Sequence, residues 1–214
     1  MRNFIYLGAL VVLFASCEKN DPTKVIETKD SANFFPMEIG NYWVYEVYII
    51  DTSGRAEKMG VVDSTIIVGD TLIKNEKYFV FHDFWGSRGS KLTRRVLRDS
   101  LGYIVDDRGT IQMAYGDVDN PVRSFILPSE EYQILDVSYN LKNNNEFLMV
   151  PAGTFKVIDF EGTVNYLQEH SISSIYPRYT HDYLAPDIGL VMNTYFYAHS
   201  PIYYEERLVR YSIN

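Results

Sequence analysis

The chain has 214 residues, with 28 acidic side chains against 20 Lys and Arg and a formal net charge of −8. Binding to phosphate backbones needs clustered Lys and Arg, so no nucleic acid is expected as a partner. A single cysteine excludes a disulfide framework, and a chain of this length can bury a sizeable core without one.

The first element is an export signal. Arg2 opens it, an apolar run extends from Phe4 to Leu13, and Phe14-Ala15-Ser16 leads into Cys17. Crossing a hydrocarbon core as a helix takes about 20 apolar residues, so this run is too short to stay as a transmembrane anchor. Small residues before a cysteine resemble the lipobox of bacterial lipoproteins, with Phe14 standing where that pattern usually has an aliphatic residue. The resemblance implies that 1–16 is cleaved and that Cys17 carries the lipid, so the chain meets the membrane through an N-terminal lipid. Residues 17–33 are polar and mixed in charge, as in a flexible tether, and 34–214 form a single β-rich domain.

Tyr (18) and Phe (12) are abundant, and aromatic and β-branched residues favour strands. From Asn41 onward, short apolar or alternating segments are separated by Gly, Asn, Asp and Pro, the pattern of consecutive antiparallel strands. Strands are predicted over 42–50, 59–68, 77–84, 92–99, 103–105 and 110–115. Residues 116–128 read as an irregular acidic loop. Further strands follow at 133–141 and 146–150, with a turn at Asn143-Asn144-Asn145, and then at 155–167, 179–184, 190–198 and 205–213. Apolar residues do not repeat convincingly at helical spacing for more than two turns.

Three segments resemble a recurrent group of Gram-negative envelope lipoproteins: Pro36 to Tyr45 (P-x-x-x-G-x-x-W-x-Y), Pro151 to Phe155 (P-A-G-T-F), and Ala185 to Val191 (A-P-x-x-G-L-V). The resemblance implies a mainly β fold, a single strongly curved antiparallel sheet forming an open half-barrel like that of periplasmic lipoprotein carriers. It implies no reaction.

The residues that carry chemistry elsewhere are sparse. His82, His170, His181 and His199 lack zinc-site spacing, and neighbours on a strand point to opposite faces, so no metal site is expected. Gly86-Ser87-Arg88-Gly89-Ser90 does not match a nucleophile elbow, and no phosphate or dinucleotide glycine pattern is present. Adjacent carboxylates such as Glu130-Glu131 and Glu205-Glu206 diverge on a strand or are solvated in loops. Arg88, Lys91, Arg94, Arg95 and Arg98 read as a solvated strand, with Arg95 on the face opposite Arg94 and Arg98.

The expectation is a non-enzymatic envelope lipoprotein without cofactor, anchored most naturally in the outer membrane, that binds a hydrophobic ligand or partner protein on its curved sheet. Trp43, Trp85, Tyr195 and Tyr197 are the candidate ligand-surface aromatics. A surface glycan-binding lipoprotein of a nutrient-uptake system and a structural or assembly lipoprotein are the alternatives.

Overall fold

Along Tyr42–Ile50 the side chains of Trp43, Tyr45 and Val47 are buried and those between them are half-exposed. A period of two turns one face of a strand toward a core and the other toward water, and this pattern recurs through the domain. The computed structural model describes residues 25–26, 33–116, 119–128, 133–167 and 175–214. The signal segment, Cys17, Glu130-Glu131 and His170 lie outside the described residues.

The strands are β1 (Val25–Ile26), β2 (Tyr42–Ile50), β3 (Ala56–Ile73), β4 (Glu76–Trp85), β5 (Lys91–Ser100), β6 (Tyr103–Asp106), β7 (Ile111–Ala114), β8 (Arg123–Pro128), β9 (Gln133–Val150), β10 (Gly153–Tyr166), β11 (Arg178–Ala185), β12 (Gly189–Tyr195) and β13 (Tyr203–Ser212). Helical geometry among the described residues is confined to a 3-10 turn, Gly86–Arg88, and to Ile175. All the strands belong to one sheet in the order β7-β6-β5-β4-β3-β2-β13-β12-β11-β10-β9-β8. β1, within the stretch expected as tether, pairs in parallel beside β10.

Two antiparallel meanders, β2 to β7 and β8 to β13, are thus joined where β13 pairs with β2. Their outer strands β7 and β8 are consecutive in sequence and form the two edges of the sheet. Arg123 on β8 donates from Nη1 to the carbonyl of Ile111 on β7 at 2.5 Å. The sheet therefore curls into a nearly closed barrel, in agreement with the expected mainly β half-barrel.

Two local expectations are corrected. The stretch read as an irregular acidic loop contains β8, which pairs with β9 from Arg123↔Tyr139 onward. The Asn143-Asn144-Asn145 segment does not reverse the chain. Val157 pairs with Glu146 and Asp159 with Lys142, so the triplet sits opposite the single residue Ile158 as a bulge within β9. Extra residues on one strand of an antiparallel pair bend it and increase its twist, and the turn-prone asparagines serve that purpose here.

Phe81, Phe155, Ile67, Leu97, Ile104, Leu184 and Leu208 fill the interior. Each fully buried side chain of this size contributes roughly 1.5–3 kcal/mol of transfer free energy. Residues 33–41 cross one end of the barrel. Asn33 accepts from the backbone N–H of Asp187 at 2.9 Å, and the N–H of Gly40 donates to Ile67 at 2.8 Å. Between these ties Phe35 enters the core, its ring 6.0 Å from that of Phe81. The three motif segments take part in this packing: Trp43 bonds to Ile188, and the N–H of Ala152 donates to Leu208.

Candidate functional site

Above the apolar floor, inward positions that alternation assigns to the core carry polar side chains. Asp182 on β11, Asn193 on β12 and Glu206 on β13 stand side by side in register. Asp63 on β3 is opposite Tyr45 and Trp85, and Asp83 on β4 is opposite Thr65. All of these but Asp83 line a cavity of about 120 Å³, walled by Phe35, Trp43, Tyr45, Phe81 and Trp85 and by Asp63, Asp182, Asn193, Glu206 and Arg95.

The 3-10 turn shapes the rim. A Cβ on Gly86 would collide with the carbonyl oxygen of Val62, so glycine lets the turn lie directly on β3. Ser87 then donates from its backbone N–H and its hydroxyl to the two oxygens of Asp63, at 2.8 and 2.5 Å. Arg88 is held between the rings of Trp85 and Tyr195, 4.5 and 4.6 Å from their centroids. Its Nη2 is 3.7 Å from Oε1 of Glu206.

Charge is unevenly matched inside. Arg95 forks onto Asp83 with both contacts at 2.7 Å, and Thr65 adds a third donor at 2.7 Å. That guanidinium is thereby engaged by a carboxylate behind the cavity wall, leaving Asp63, Asp182 and Glu206 facing the cavity. Glu206 is 2% exposed and accepts from Asn193 at 2.7 Å through Oε2, whereas its Oε1 has no hydrogen-bond partner. Burial pushes Glu206 up to about 8, the hydrogen bond from Asn193 opposing the rise and the charge of Asp63 adding to it. Burial, reinforced by the charge of Asp159, pushes Asp182 up to about 7. Tyr45 donates to the carbonyl of Leu190 at 2.9 Å, and burial and then Glu206 hold its phenol well above the usual range.

Of the four aromatic candidates, Trp43 and Trp85 line the cavity. The Trp85 indole donates to Thr93 at 2.8 Å. Tyr195 stacks on Tyr204, with centroids 5.0 Å apart, and belongs to the rim. Tyr197 is 53% exposed and meets both tyrosine rings edge-on, outside the cavity. The basic cluster, expected as a solvated strand, is corrected at two residues: Arg88 lies in the 3-10 turn between two rings, and Arg95 pairs with buried Asp83. Glu205 and Glu206 diverge as expected, Glu205 to Arg207 and Glu206 inward.

Sequence reasoning passed over Asp63, Asp83, Asp182 and Glu206. A usable signal was present: Phe81-x-Asp83-x-Trp85 and Glu206-x-Leu208 place a carboxyl in phase with large apolar residues, where a solvated charge does not belong.

No protein-family model matches the chain, and no curated protein matches it. Among solved structures, a Bacteroides fragilis protein described as exported and as having a YmcC-like fold superposes with a TM-score of 0.50 at 16% identity, over 85% of this chain and 99% of that one. A Parabacteroides distasonis protein described as a lipoprotein gives a TM-score of 0.47 at 14% identity, over 86% of this chain and 100% of that one. At these identities the first likeness establishes a shared fold.

Proposed function

We propose that the chain is a non-enzymatic, lipid-anchored envelope protein whose barrel receives the cationic head of a small organic ligand, an alkylammonium or guanidinium compound. The observation that carries this reading is Oε1 of Glu206, which is buried, lacks a hydrogen-bond donor and belongs to a cavity walled by two tryptophans. A bound cation draws off the proton that burial keeps on Glu206, so the carboxylate supplies charge, and aromatic faces add cation–π attraction, worth ≈ 2 kcal/mol or more when desolvated. Arg88 illustrates the same chemistry at the rim, a guanidinium between two aromatic rings facing Glu206. A cavity of about 120 Å³ is well below the ≈ 300–1,000 Å³ that holds a drug-sized ligand, which favours a small polar head over a whole acyl chain.

Calorimetric titration with methylguanidinium and butylammonium tests the reading. Saturable binding to the native chain that disappears in Glu206→Gln supports it. Absence of binding to either cation, or equal binding by the variant, overturns it. The anchor is tested separately: Cys17→Ser moves the chain from the membrane to the soluble fraction if Cys17 is acylated.

A partner-protein reading draws on a different surface. Val62, Ile66, Phe84 and Leu92 are exposed together on the outer face of β3, β4 and β5, where Phe84 is paired with both Ser64 and Leu92. Contiguous exposed apolar side chains mark contact surfaces.

A further inference from the structure

A second polar group lies on the opposite side of the barrel wall. His181 is adjacent to Asp182 on β11, and Asp182 lines the cavity, so alternation turns His181 to the outer face. Glu161 on β10 is in register with His181, and Asp159 lies two residues along on the same face of β10. Asp159, Glu161 and His181 each offer a ligand atom, and these atoms lie within 4.8 Å of one another. The β9 bulge sits opposite Ile158, next to the cluster, and bulges commonly re-aim side chains beside functional sites.

Asp159 is 5% exposed. Its Oδ2 is 2.9 Å from Nδ1 of His181, and its Oδ1 is sealed from solvent without a hydrogen-bond partner. Leaving a buried charged acceptor unmatched is costly, and the deficit is one of positive charge. Lys142 already meets part of it, with Nζ 2.6 Å from Oε2 of Glu161. That lysine is half-exposed on a flexible stem and can withdraw into water.

From this geometry we propose that Asp159, Glu161 and His181 form a binding site for one divalent transition-metal ion of the zinc class. Ligand atoms about 2.0–2.1 Å from a tetrahedral zinc are roughly 3.3 Å apart, so the 2.9 Å between Asp159 and His181 needs only a few tenths of an ångström of opening. On binding, the metal replaces the proton shared by His181 and Asp159 and displaces Lys142 from Glu161, and water completes the shell on the exposed side. One imidazole with two carboxylates suits zinc better than calcium or magnesium, which take six or more oxygens or keep an octahedron of water.

The test is calorimetric titration of the chelator-treated full chain with Zn²⁺, with the melting profile of each variant recorded to confirm folding. One equivalent binds the native chain, and His181→Ala and Asp159→Asn each weaken it by about 100-fold or more, as loss of one of three protein ligands requires. Lys142→Met, a change at a half-exposed position, tightens binding by about tenfold because the competing cation is gone. Absence of saturable binding by the native chain, binding that survives His181→Ala, or a Lys142→Met variant no tighter than the native chain overturns the proposal.

Discussion

The indole N–H of Trp43 donates to the backbone carbonyl of Ile188 at 2.7 Å, and Gly189, the next residue, packs against the same ring. Two segments that resemble envelope-lipoprotein motifs are thus clasped together at the end of the barrel crossed by residues 33–41. Gly189 has φ +96°, a conformation that residues with a Cβ rarely adopt. Gly189→Ala is expected to lower stability by about 1–3 kcal/mol, the range for a side chain forced into sparsely populated backbone space. Trp43→Phe should cost about as much by leaving the Ile188 carbonyl unpaired. Urea unfolding followed by circular dichroism reads both.

The interior acids give stability a distinctive dependence on pH. Glu206 rises to about 8 and Asp182 to about 7 in the folded state. In the unfolded chain both release their protons near pH 4. Between those limits the folded state holds more protons than the unfolded one, so stability is full below pH 4 with respect to these groups and falls as pH rises to about 8. The slope approaches about 1.4 kcal/mol per pH unit for each proton retained. Chemical denaturation between pH 5 and 8 should show this decline, and Glu206→Gln should flatten it above pH 7.

Asp83 is fully buried and held by both guanidinium contacts from Arg95. Removing only the cation leaves an uncompensated buried charge, so Arg95→Met is expected to destabilise by about 3–5 kcal/mol. The double variant Asp83→Leu, Arg95→Met should recover most of that loss. A double-mutant cycle on unfolding free energies checks both.

The seam of the barrel rests on Arg123. Its bond to Ile111 bridges β7 and β8, and its guanidinium also lies over the rings of Phe125 and Tyr139, at 4.9 and 4.6 Å. Arg123→Ala should loosen the seam locally, raising amide exchange in β7 and β8 while the exchange of β2 and β13 is unchanged. Uniformly faster exchange across the sheet would instead mean that the seam governs global stability.

The architecture was largely legible because period-two burial is written directly in the strands: the predicted strand 42–50 coincides with β2, and most of the others differ by a few residues at their ends. Where prediction failed, a local signal was overridden by pairing. The three asparagines of β9 have turn chemistry, but their neighbours pair with β10 on both sides, and the ladder absorbs them as a bulge. The candidate site was half legible. Trp43 and Trp85 were singled out as aromatics, whereas the acids between them were passed over because a charge is assumed to face water. Their burial depends on partners twelve or more residues away in sequence, brought close by the turn and by strand pairing: Ser87 for Asp63, Arg95 for Asp83, and Asn193 for Glu206. The same holds for His181, whose companions Asp159 and Glu161 are remote in sequence and adjacent only across β10 and β11.

Native mass spectrometry of the full chain purified from the cells that make it, beside Glu206→Gln, tests the central claim most directly. A small basic molecule carried by the native chain and missing from the variant is the predicted result. A fatty acyl adduct that organic solvent removes equally from both proteins would contradict it.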